Sequence, residues 1–464
     1  MRKNNGITLI ALIITIIILL ILVGVSVNLL IKGDLFGSAQ KAVSGTNAKV
    51  EEQQTAVDEL MGELDEVEKE IEEQEKQMNL PGTRVSENTK YIRDGKTAWI
   101  PKGFTVSGIK SEQSIDNGLV IYDIPEVDLE KKEENFWEIS TTVGTETYPK
   151  VQCDYNQFVW VPVETPYVTK AELDKIINDS NGSIITEQAA LQSLVDQGKY
   201  PMSVQLENKT DYRGVLYSFS EGTNKVNVMV KEFSTTDDYS DDSITYDREP
   251  TQLNSAKTNQ TEEPKLDLQT EYNTIVKSIK EQKGFWVARF ELSHSIVGST
   301  NKAESKRGKT VSTADSSSLK KWYGLYSTCK NVNLQSGTEI QSSMIYGSQW
   351  DQIMIWMKDV KNIKNNSNFY ILDSSYMGNY NTSSGGTGKV QVSGYKNDYA
   401  VKQIFDLGGN LFDWTIEANE INGRFLRGRH DELGYDIPAS GRLGYNPDAA
   451  YDNATARFIL YMSL

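Results

Sequence analysis

Apolar and polar positions divide the chain into three parts, and the first is a long apolar run. Residues 7–31 hold 25 residues without a charged side chain. As a helix this run spans about 37 Å at ~1.5 Å per residue, which exceeds a hydrocarbon core of ~30 Å. It is too long for a cleaved secretory signal and lacks an A-x-A site. Because Arg2 and Lys3 precede it, the pattern predicts a transmembrane helix over 7–31 with a cytoplasmic start and an external head.

The second part has apolar residues seven positions apart. These residues are Val50, Val57, Leu64, Ile71 and Met78. The other apolar position of the heptad is interrupted by Gln53 and Gln74. Between Glu51 and Lys76 the chain has twelve acidic and two basic residues, a net charge of 2 − 12 = −10. A coiled-coil stalk and a single helix both fit this pattern, and the like charges favour a single acidic helical stalk over residues 32–80.

The third part, from residue 81 onward, alternates short β-prone runs with a few helical patterns. Apolar and polar residues alternate between Pro or Gly boundaries in the runs 97–108, 118–124, 156–164, 284–292 and 456–464. Helical spacing occurs in 170–179, 186–195, 268–282 and 350–360. The polar stretches 234–264 and 381–389 read as loops. The pattern predicts an α+β head.

Composition excludes several classes of function. The 464 residues carry a net charge of −16, which repels phosphate backbones and argues against nucleic acid as a partner. The chain has two histidines, His294 and His430, and two cysteines, Cys153 and Cys329, and these form no zinc-spaced cluster. In an exported head the two cysteines are expected either to form a disulfide or to remain free thiols.

The leader resembles a type IV prepilin signal. The basic segment MRKNNG, residues 1–6, runs directly into the apolar ITLI. The resemblance implies that a prepilin peptidase cleaves between Gly6 and Ile7. Pilins usually carry a glutamate at the fifth mature position, where it neutralises the N-terminal amine of a neighbouring subunit, and here Ala11 stands there. An amine without such a partner in lipid is costly, which argues against polymerisation as a major pilin.

Six motifs of the head occur in the order of a known family. They are NQFVWVPVE, GFWVARFEL, SQWDQIMIW, DLGGNLFDWTIE, RFLRGR and a terminal ARFIL. This order resembles the formylglycine-generating enzyme family, and GNLFDW is its most specific part. The resemblance implies a C-type-lectin-like domain over 156–464 with an inserted region 165–280, behind a small β-rich segment 81–155. A prepilin-like anchor joined to such a head is also similar to surface proteins of clostridial-type bacteria.

The stretch DLGGNLFDWTIE, residues 406–417, has two interpretations. As a plain turn, its glycines Gly408 and Gly409 permit φ > 0 and Trp414 would fill the core. In the family the same turn holds a calcium ion. Carried over, the ligands would be the side chains of Asp406 and Asp413 and the backbone carbonyls of Gly409 and Leu411. Calcium prefers oxygen ligands, so the residue types agree with either interpretation.

The copper chemistry of the family is not expected here. Its enzymes hold copper with two cysteines shortly after the motif that RFLRGR resembles. No cysteine follows that motif in this chain. Asp or Tyr does not replace a thiolate in a site selective for Cu(I). The sequence therefore predicts no copper and no enzymatic activity.

The C-terminal loops suggest a ligand-binding surface. Residues 429–453 contain Arg429, His430, Tyr435, Asp436, Arg442, Tyr445, Asn446, Tyr451 and Asn453. Such residues give adaptable contacts, as in antibody paratopes, and some lectin-fold proteins have hypervariable loops here. The favoured function is recognition of an extracellular protein, glycan or host surface, as an adhesin does. The alternatives are tyrosines that only cover the core, an enzyme using Glu417 and Glu420 as acid and base, and a minor pilin.

Overall fold

The computed structural model describes two long parts of the chain and three short strands. These are residues 79–163, 202–203, 216–221, 224–229 and 268–462, with gaps at 144–145, 314–318, 320, 336–337, 339, 358–359, 361–373, 375–376, 381, 383–385, 419–423, 431–438 and 440–441. The predicted cleavage between Gly6 and Ile7, the membrane helix 7–31 and nearly all of the stalk 32–80 lie outside the described residues. Among the residues that are described, none belongs to a helix long and apolar enough to cross a membrane.

The described residues form mostly strands with a few helices. The strands are β1 (Thr89–Arg93), β2 (Lys96–Ile100), β3 (Thr105–Val106), β4 (Val120–Tyr122), β5 (Ser140–Val143), β6 (Glu146–Pro149), β7 (Gln157–Pro162), β8 (Met202–Ser203), β9 (Leu216–Glu221), β10 (Asn224–Met229), β11 (Gly284–Ala288), β12 (Ser293–Val297), β13 (Thr300–Glu304), β14 (Gln341–Met344), β15 (Ala400–Val401), β16 (Ile404–Phe405), β17 (Phe412–Ala418), β18 (Arg424–Gly428), β19 (Arg442–Tyr445), β20 (Ala454–Ala456) and β21 (Phe458–Tyr461). The helices are α1 (Glu126–Glu130), α2 (Val151–Asp154), α3 (Leu268–Gln282), α4 (Trp322–Cys329) and α5 (Gly347–Met357). The prediction of an α+β head is confirmed.

The largest sheet is antiparallel and has the order β14-β21-β11-β7-β4-β3. Its central strands β7 and β11 are buried at every position, which explains their nearly continuous apolar sequences. The rings of Trp160 and Trp286 lie 5.1 Å apart between these strands. Gly284 is required beside them, because a Cβ there would lie 2.2 Å from the Trp160 ring. These two strands form the centre of the core.

Helix α3 packs against β11 and β21 of this sheet. Its apolar residues Leu268, Tyr272, Ile275 and Ile279 are all buried, and their spacing places them on one helical face. The helix ends at Lys283, whose φ of 58° is left-handed and whose N–H donates to the Ile279 carbonyl. Helix α5 packs against β7 and β17. Helix α5 therefore joins the large sheet to the sheet that contains β17.

A second sheet has the order β19-β18-β17-β20 and carries the motif DLGGNLFDWTIE at its start. Strand β17 pairs antiparallel with β18 and parallel with β20, and its register shifts between Trp414 and Ala418. Outside these two sheets are a three-stranded antiparallel sheet of order β8-β10-β9 and the hairpins β1-β2, β5-β6 and β12-β13. Strands β15 and β16 form a fourth, which leads directly into the motif.

The predicted segment 81–155 shares one core with the predicted domain 156–464. Strands β3 and β4 belong to the same sheet as β7 and β11. Across that junction the buried Arg289 Nη1 lies 2.7 Å from Glu112 Oε1. A boundary at residue 155 therefore does not separate two hydrophobic cores, because β4 pairs with β7 directly across it. Both cysteines are free thiols, Cys153 half-buried and Cys329 buried.

Candidate functional site

The turn at residues 406–411 holds an unusual backbone. Left-handed φ values occur at Asp406 (56°) and Asn410 (70°), and at Lys402 and Gln403 just before them. The two glycines of the motif permit positive φ but do not adopt it. Their role is close approach, because a Cβ on Gly409 would lie 2.6 Å from the Asn379 carbonyl oxygen. Strained non-glycine residues concentrated in one short segment are typical of functional sites.

The turn brings together three buried carboxylates, of which sequence reasoning identified two. Asp406 and Asp413 are joined by Glu291, which follows β11. The backbone N–H of Leu411 donates to Glu291 Oε1 at 3.0 Å, and the Asn410 side-chain amide donates to Glu291 Oε2 at 2.5 Å. Glu291, in the segment that follows β11, thus holds the turn in place through these two hydrogen bonds.

Two buried arginines act on these carboxylates: Arg457, which is close to Asp413, and Arg307, whose charge acts on Asp406. Arg457 Nε lies 3.4 Å from Asp413 Oδ2. Its Nη1 donates to the Ala288 carbonyl at 3.1 Å and its Nη2 to the Phe405 carbonyl at 2.9 Å. With all groups ionised, the three carboxylates and the guanidinium groups of Arg457 and Arg307 would leave a charge of 2 − 3 = −1 in the core. A buried excess charge of this kind is costly unless a proton or a cation compensates it.

The pKa values of the three carboxyl groups are raised, in agreement with this buried excess of negative charge. Burial raises the pKa of Asp406 to about 7 and that of Asp413 to about 6, and the Arg457 charge opposes both shifts. Burial, and then the charges of Asp406 and Asp413, raise the pKa of Glu291 well above its usual value. Oδ1 of Asp406 and Oδ1 of Asp413 are buried and accept no hydrogen bond from the part of the chain that the structure describes. Two carboxylate oxygens therefore point into the core without a donor.

These oxygens fit a hard cation better than a soft one. Calcium coordinates carboxylate and carbonyl oxygens, and the carbonyls of Gly409 and Leu411 belong to the same turn. The Gly409 carbonyl accepts the Leu411 N–H at 3.1 Å. Within the described ranges, no three or more His, Cys, Asp or Glu side chains are arranged to hold one metal ion. A calcium ion here would depend on two carboxylates, Asp406 and Asp413, and on backbone carbonyls.

Among the predicted ligand-binding residues that the structure describes, some are buried and others are accessible. Arg429 and His430 are buried, and the His430 ring lies 5.2 Å from the Phe412 ring. Asn446 is exposed, and Tyr445, Tyr451 and Asn453 are half-buried. Tyr435 and Asp436 lie outside the described residues, as does the side chain of Arg442. The backbone of Arg442, in β19, pairs with Arg427 of β18. The accessible candidates are therefore Tyr445, Asn446, Tyr451 and Asn453.

The two accessible tyrosines form a stack. The rings of Tyr445 and Tyr451 lie 4.6 Å apart with planes 22° from parallel. Tyr451 continues onto the buried Phe412 at 6.4 Å, and Tyr445 meets Trp414 at 6.2 Å. The stack joins side chains from β19, from the start of β17 and from the segment before β20. It is anchored in the core at one side and accessible at the other.

Glu417 belongs to a buried network of charges. Its Oε2 lies 3.7 Å from Arg427 Nε, and both side chains are fully buried. Arg427 Nη2 also pairs with Asp351, and the Arg424 guanidinium lies 4.4 Å from the Trp322 ring. The contacts of Arg427 hold α5 to β17 and β18, and the contact of Arg424 holds α4 to β18. Glu420, the other acid proposed from the sequence, lies outside the described residues.

Comparisons with known proteins add little to this geometry. No family profile and no curated protein matches the chain. Among solved structures, it is similar to Treponema denticola variable protein 1, with 12% sequence identity over 39% of this chain and 96% of that chain, at a TM-score of 0.22. That score is too low to indicate a shared fold.

Proposed function

We propose that this chain is a surface-anchored binding protein with a catalytically silent head of the C-type-lectin-like, formylglycine-generating-enzyme type. The order of the six motifs and the mixed α+β architecture with mostly antiparallel sheets support the fold. The uncharged run 7–31 behind a prepilin-like leader supports the anchor, which would leave the head outside the cell. The recognised partner would be an extracellular protein or glycan.

The Tyr445–Tyr451 stack carries this proposal. Two half-buried aromatic rings, Tyr451 packed on Phe412 and Tyr445 on Trp414, offer a large contact area without losing side-chain freedom on binding. Asn446, which is exposed beside Tyr445, adds donors and acceptors at the rim. Rigid aromatic groups beside adaptable polar ones are typical of surfaces that recognise proteins or glycans.

The proposal includes a structural calcium ion in the turn 406–413. Asp406 and Asp413 would supply charge, and the carbonyls of Gly409 and Leu411 would complete the oxygen ligands. When bound, the ion would neutralise carboxylates that Arg457 alone does not balance. The two donorless Oδ1 atoms support this assignment. The ion would stabilise the head and take no part in a reaction.

A minor pilin is the second candidate, and the leader MRKNNG before ITLI favours it. A filament component would require processing between Gly6 and Ile7 and incorporation beside other pilins. Ala11 would leave its new N-terminal amine without the usual intermolecular partner. Binding through the tyrosine stack does not require polymerisation, so the binding role is preferred.

We expect that replacing both tyrosines of the stack by alanine weakens ligand binding by about tenfold or more, since 1.4 kcal/mol corresponds to tenfold and aromatic anchors often contribute more. The labelled full-length protein, held in nanodiscs, would be applied to arrays of glycans and of extracellular proteins. Each glycan or protein on the array that binds the wild type would then be titrated with the wild type and with the double variant Tyr445→Ala/Tyr451→Ala.

The matched control is Tyr155→Ala. Tyr155 is also half-buried and in an aromatic contact, with Phe136 at 6.4 Å, but lies before β7. The substitution Tyr155→Ala should leave ligand binding unchanged. If the wild type and the double variant bind every one of these array ligands equally well, the stack has no role in binding.

A further inference from the structure

The turn 406–413 offers fewer oxygen ligands than a calcium ion usually takes. The proposed function gives the ion the carboxylates of Asp406 and Asp413 and the backbone carbonyls of Gly409 and Leu411. Calcium in proteins is held by about 6–8 oxygen atoms. Further oxygen atoms are therefore expected beside these two carboxylates.

Thr455 lies beside Asp413. Strand β20 runs parallel to β17, and Thr455 is the register partner of Asp413. Arg457, two residues further along the chain, lies with its Nε 3.4 Å from Asp413 Oδ2. Because side chains alternate along an extended chain, Thr455 and Arg457 lie on the same side of it, the side that faces Asp413. The Thr455 side chain is fully buried, and its hydroxyl has no hydrogen-bond partner among the described residues.

Tyr399 stands in the same relation to Asp406. The two residues follow the β15-β16 pairing outward, and the Asp406 N–H donates to the Tyr399 carbonyl at 3.2 Å. Tyr399 is buried, and within the described ranges its hydroxyl has no hydrogen-bond partner either. Burial, and then the negative charge of Asp406, raises the pKa of the Tyr399 hydroxyl to about 12. The phenol therefore lies within electrostatic range of the Asp406 carboxylate.

Each carboxylate oxygen without a donor thus has a neighbouring residue whose hydroxyl is also without a partner in the described part of the chain. Buried polar groups of native proteins almost always have a partner, and those that find none in the protein bond to ordered water or to an ion. A hydroxyl oxygen carries two lone pairs, as a carboxylate oxygen does. A hard cation is the one partner that both kinds of oxygen atom can hold together.

We propose that the hydroxyl groups of Tyr399 and Thr455 complete the oxygen shell of the calcium ion, each as a ligand or as the partner of a ligating water. This inference rests on the calcium ion of the proposed function and adds two residues to its site. Neither residue lies in the motif DLGGNLFDWTIE. The ion would therefore connect the turn to the β15-β16 hairpin and to β20.

The first test is a calorimetric titration of the full chain in detergent with calcium chloride. Tyr399→Phe and Thr455→Val each remove little more than the hydroxyl, and each should weaken calcium binding by about 10–100-fold, as is usual for residues that support a metal site. Thr455→Ser keeps a hydroxyl and should bind as the wild type does. The matched control is Thr105→Val. Thr105 is also fully buried with a hydroxyl that lacks a described partner, but it lies in β3 of the large sheet.

The second test measures thermal unfolding in chelator, followed by tryptophan fluorescence. All eight tryptophans lie beyond residue 98, so the signal reports on the head. Without the ion, Tyr399→Phe and Thr455→Val should melt at the wild-type temperature or above it, because each removes a buried polar group that has no partner. A hydroxyl that only holds the protein together would give the opposite result, a lower melting temperature in chelator.

The outcomes separate this inference from the proposal on which it rests. If the wild type binds calcium and both hydroxyl variants bind it equally well, the two residues do not belong to the site, although the calcium ion does. If the wild type binds no calcium, the calcium proposal is wrong and this inference is wrong with it. Lower melting temperatures of both variants in chelator would also overturn the inference. Either variant alone decides the result for its own residue if the other fails to fold.

Discussion

Replacing Arg457 by methionine is expected to destabilise the head by about 3–5 kcal/mol, the usual cost of removing one partner of a buried ion pair. Arg457 is fully buried and lies 3.4 Å from Asp413. Methionine keeps most of the volume but leaves Asp413 without the guanidinium that it faces, and it removes a positive charge that also acts on Glu291 and Asp406. The measurement is chemical unfolding of the fragment from Lys76 to Leu464, which is one compact unit, in the presence of chelator.

The control is the double variant Arg457→Met/Asp413→Asn. Removing the carboxylate charge that Arg457 faces should recover part of the lost stability, and it should restore folding if the single variant is unfolded. A single variant that loses less than about 1 kcal/mol would contradict the account, since surface changes have effects of that size. A double variant that is no more stable than the single variant would also contradict it.

Calcium is expected to raise the melting temperature of the same fragment, and Asp413→Ala should abolish the increase. A ligand present at ~100-fold above its dissociation constant adds about 2.7 kcal/mol of stability. The matched control is Asp123→Ala. Asp123 is also buried and its pKa is raised to about 6 by burial, but its carboxylate accepts two hydrogen bonds from Asn156. That variant should be less stable and still respond to calcium.

The increment from calcium should grow as pH rises. The folded pKa values of Asp406 and Asp413, about 7 and 6, lie above the ordinary value of 3.8. In chelator, each group therefore contributes stability that is fully present below pH ~4 and is lost as pH rises towards 7. Calcium replaces the protons, so its effect should be small near pH 5 and larger near pH 8. If calcium leaves the melting temperature unchanged at every pH, the calcium proposal is wrong, and only the packing of Gly409, the contacts of Glu291 and the packing of Trp414 hold the turn.

The sequence was most informative where apolar spacing was regular. The helical pattern over 268–282 corresponds to α3, and the runs 156–164 and 284–292 contain β7 and β11. The run 97–108 was less regular and forms two strands, β2 and β3. Pro101 and Gly103 interrupt it, with Gly103 at φ 84° and a turn bond from Phe104 N–H to the Pro101 carbonyl. A proline lacks the N–H that a continuous strand needs.

The site was only partly predictable for a topological reason. Asp406 and Asp413 lie in one motif, but Glu291 and Arg457 come from segments far from it in sequence. The sequence did contain one indication of these two residues: each is a charge inside an apolar run, Glu291 in WVARFEL and Arg457 in ARFIL. A charge that is buried in a core needs a partner. Likewise, the inward direction of Arg429 and His430 depends on contacts across the second sheet, which residue types alone do not reveal.

The proposed function depends most directly on display of the head outside the cell. Cys153 gives a specific probe, because it is half-buried while Cys329 is buried. Wall-stripped intact cells would be treated with a membrane-impermeant maleimide polymer at mildly alkaline pH, since burial raises the pKa of the Cys153 thiol. The account predicts a single mass shift on intact cells, absent in Cys153→Ser. Labelling that appears only after the membrane is lysed would place the head inside the cell and contradict the account.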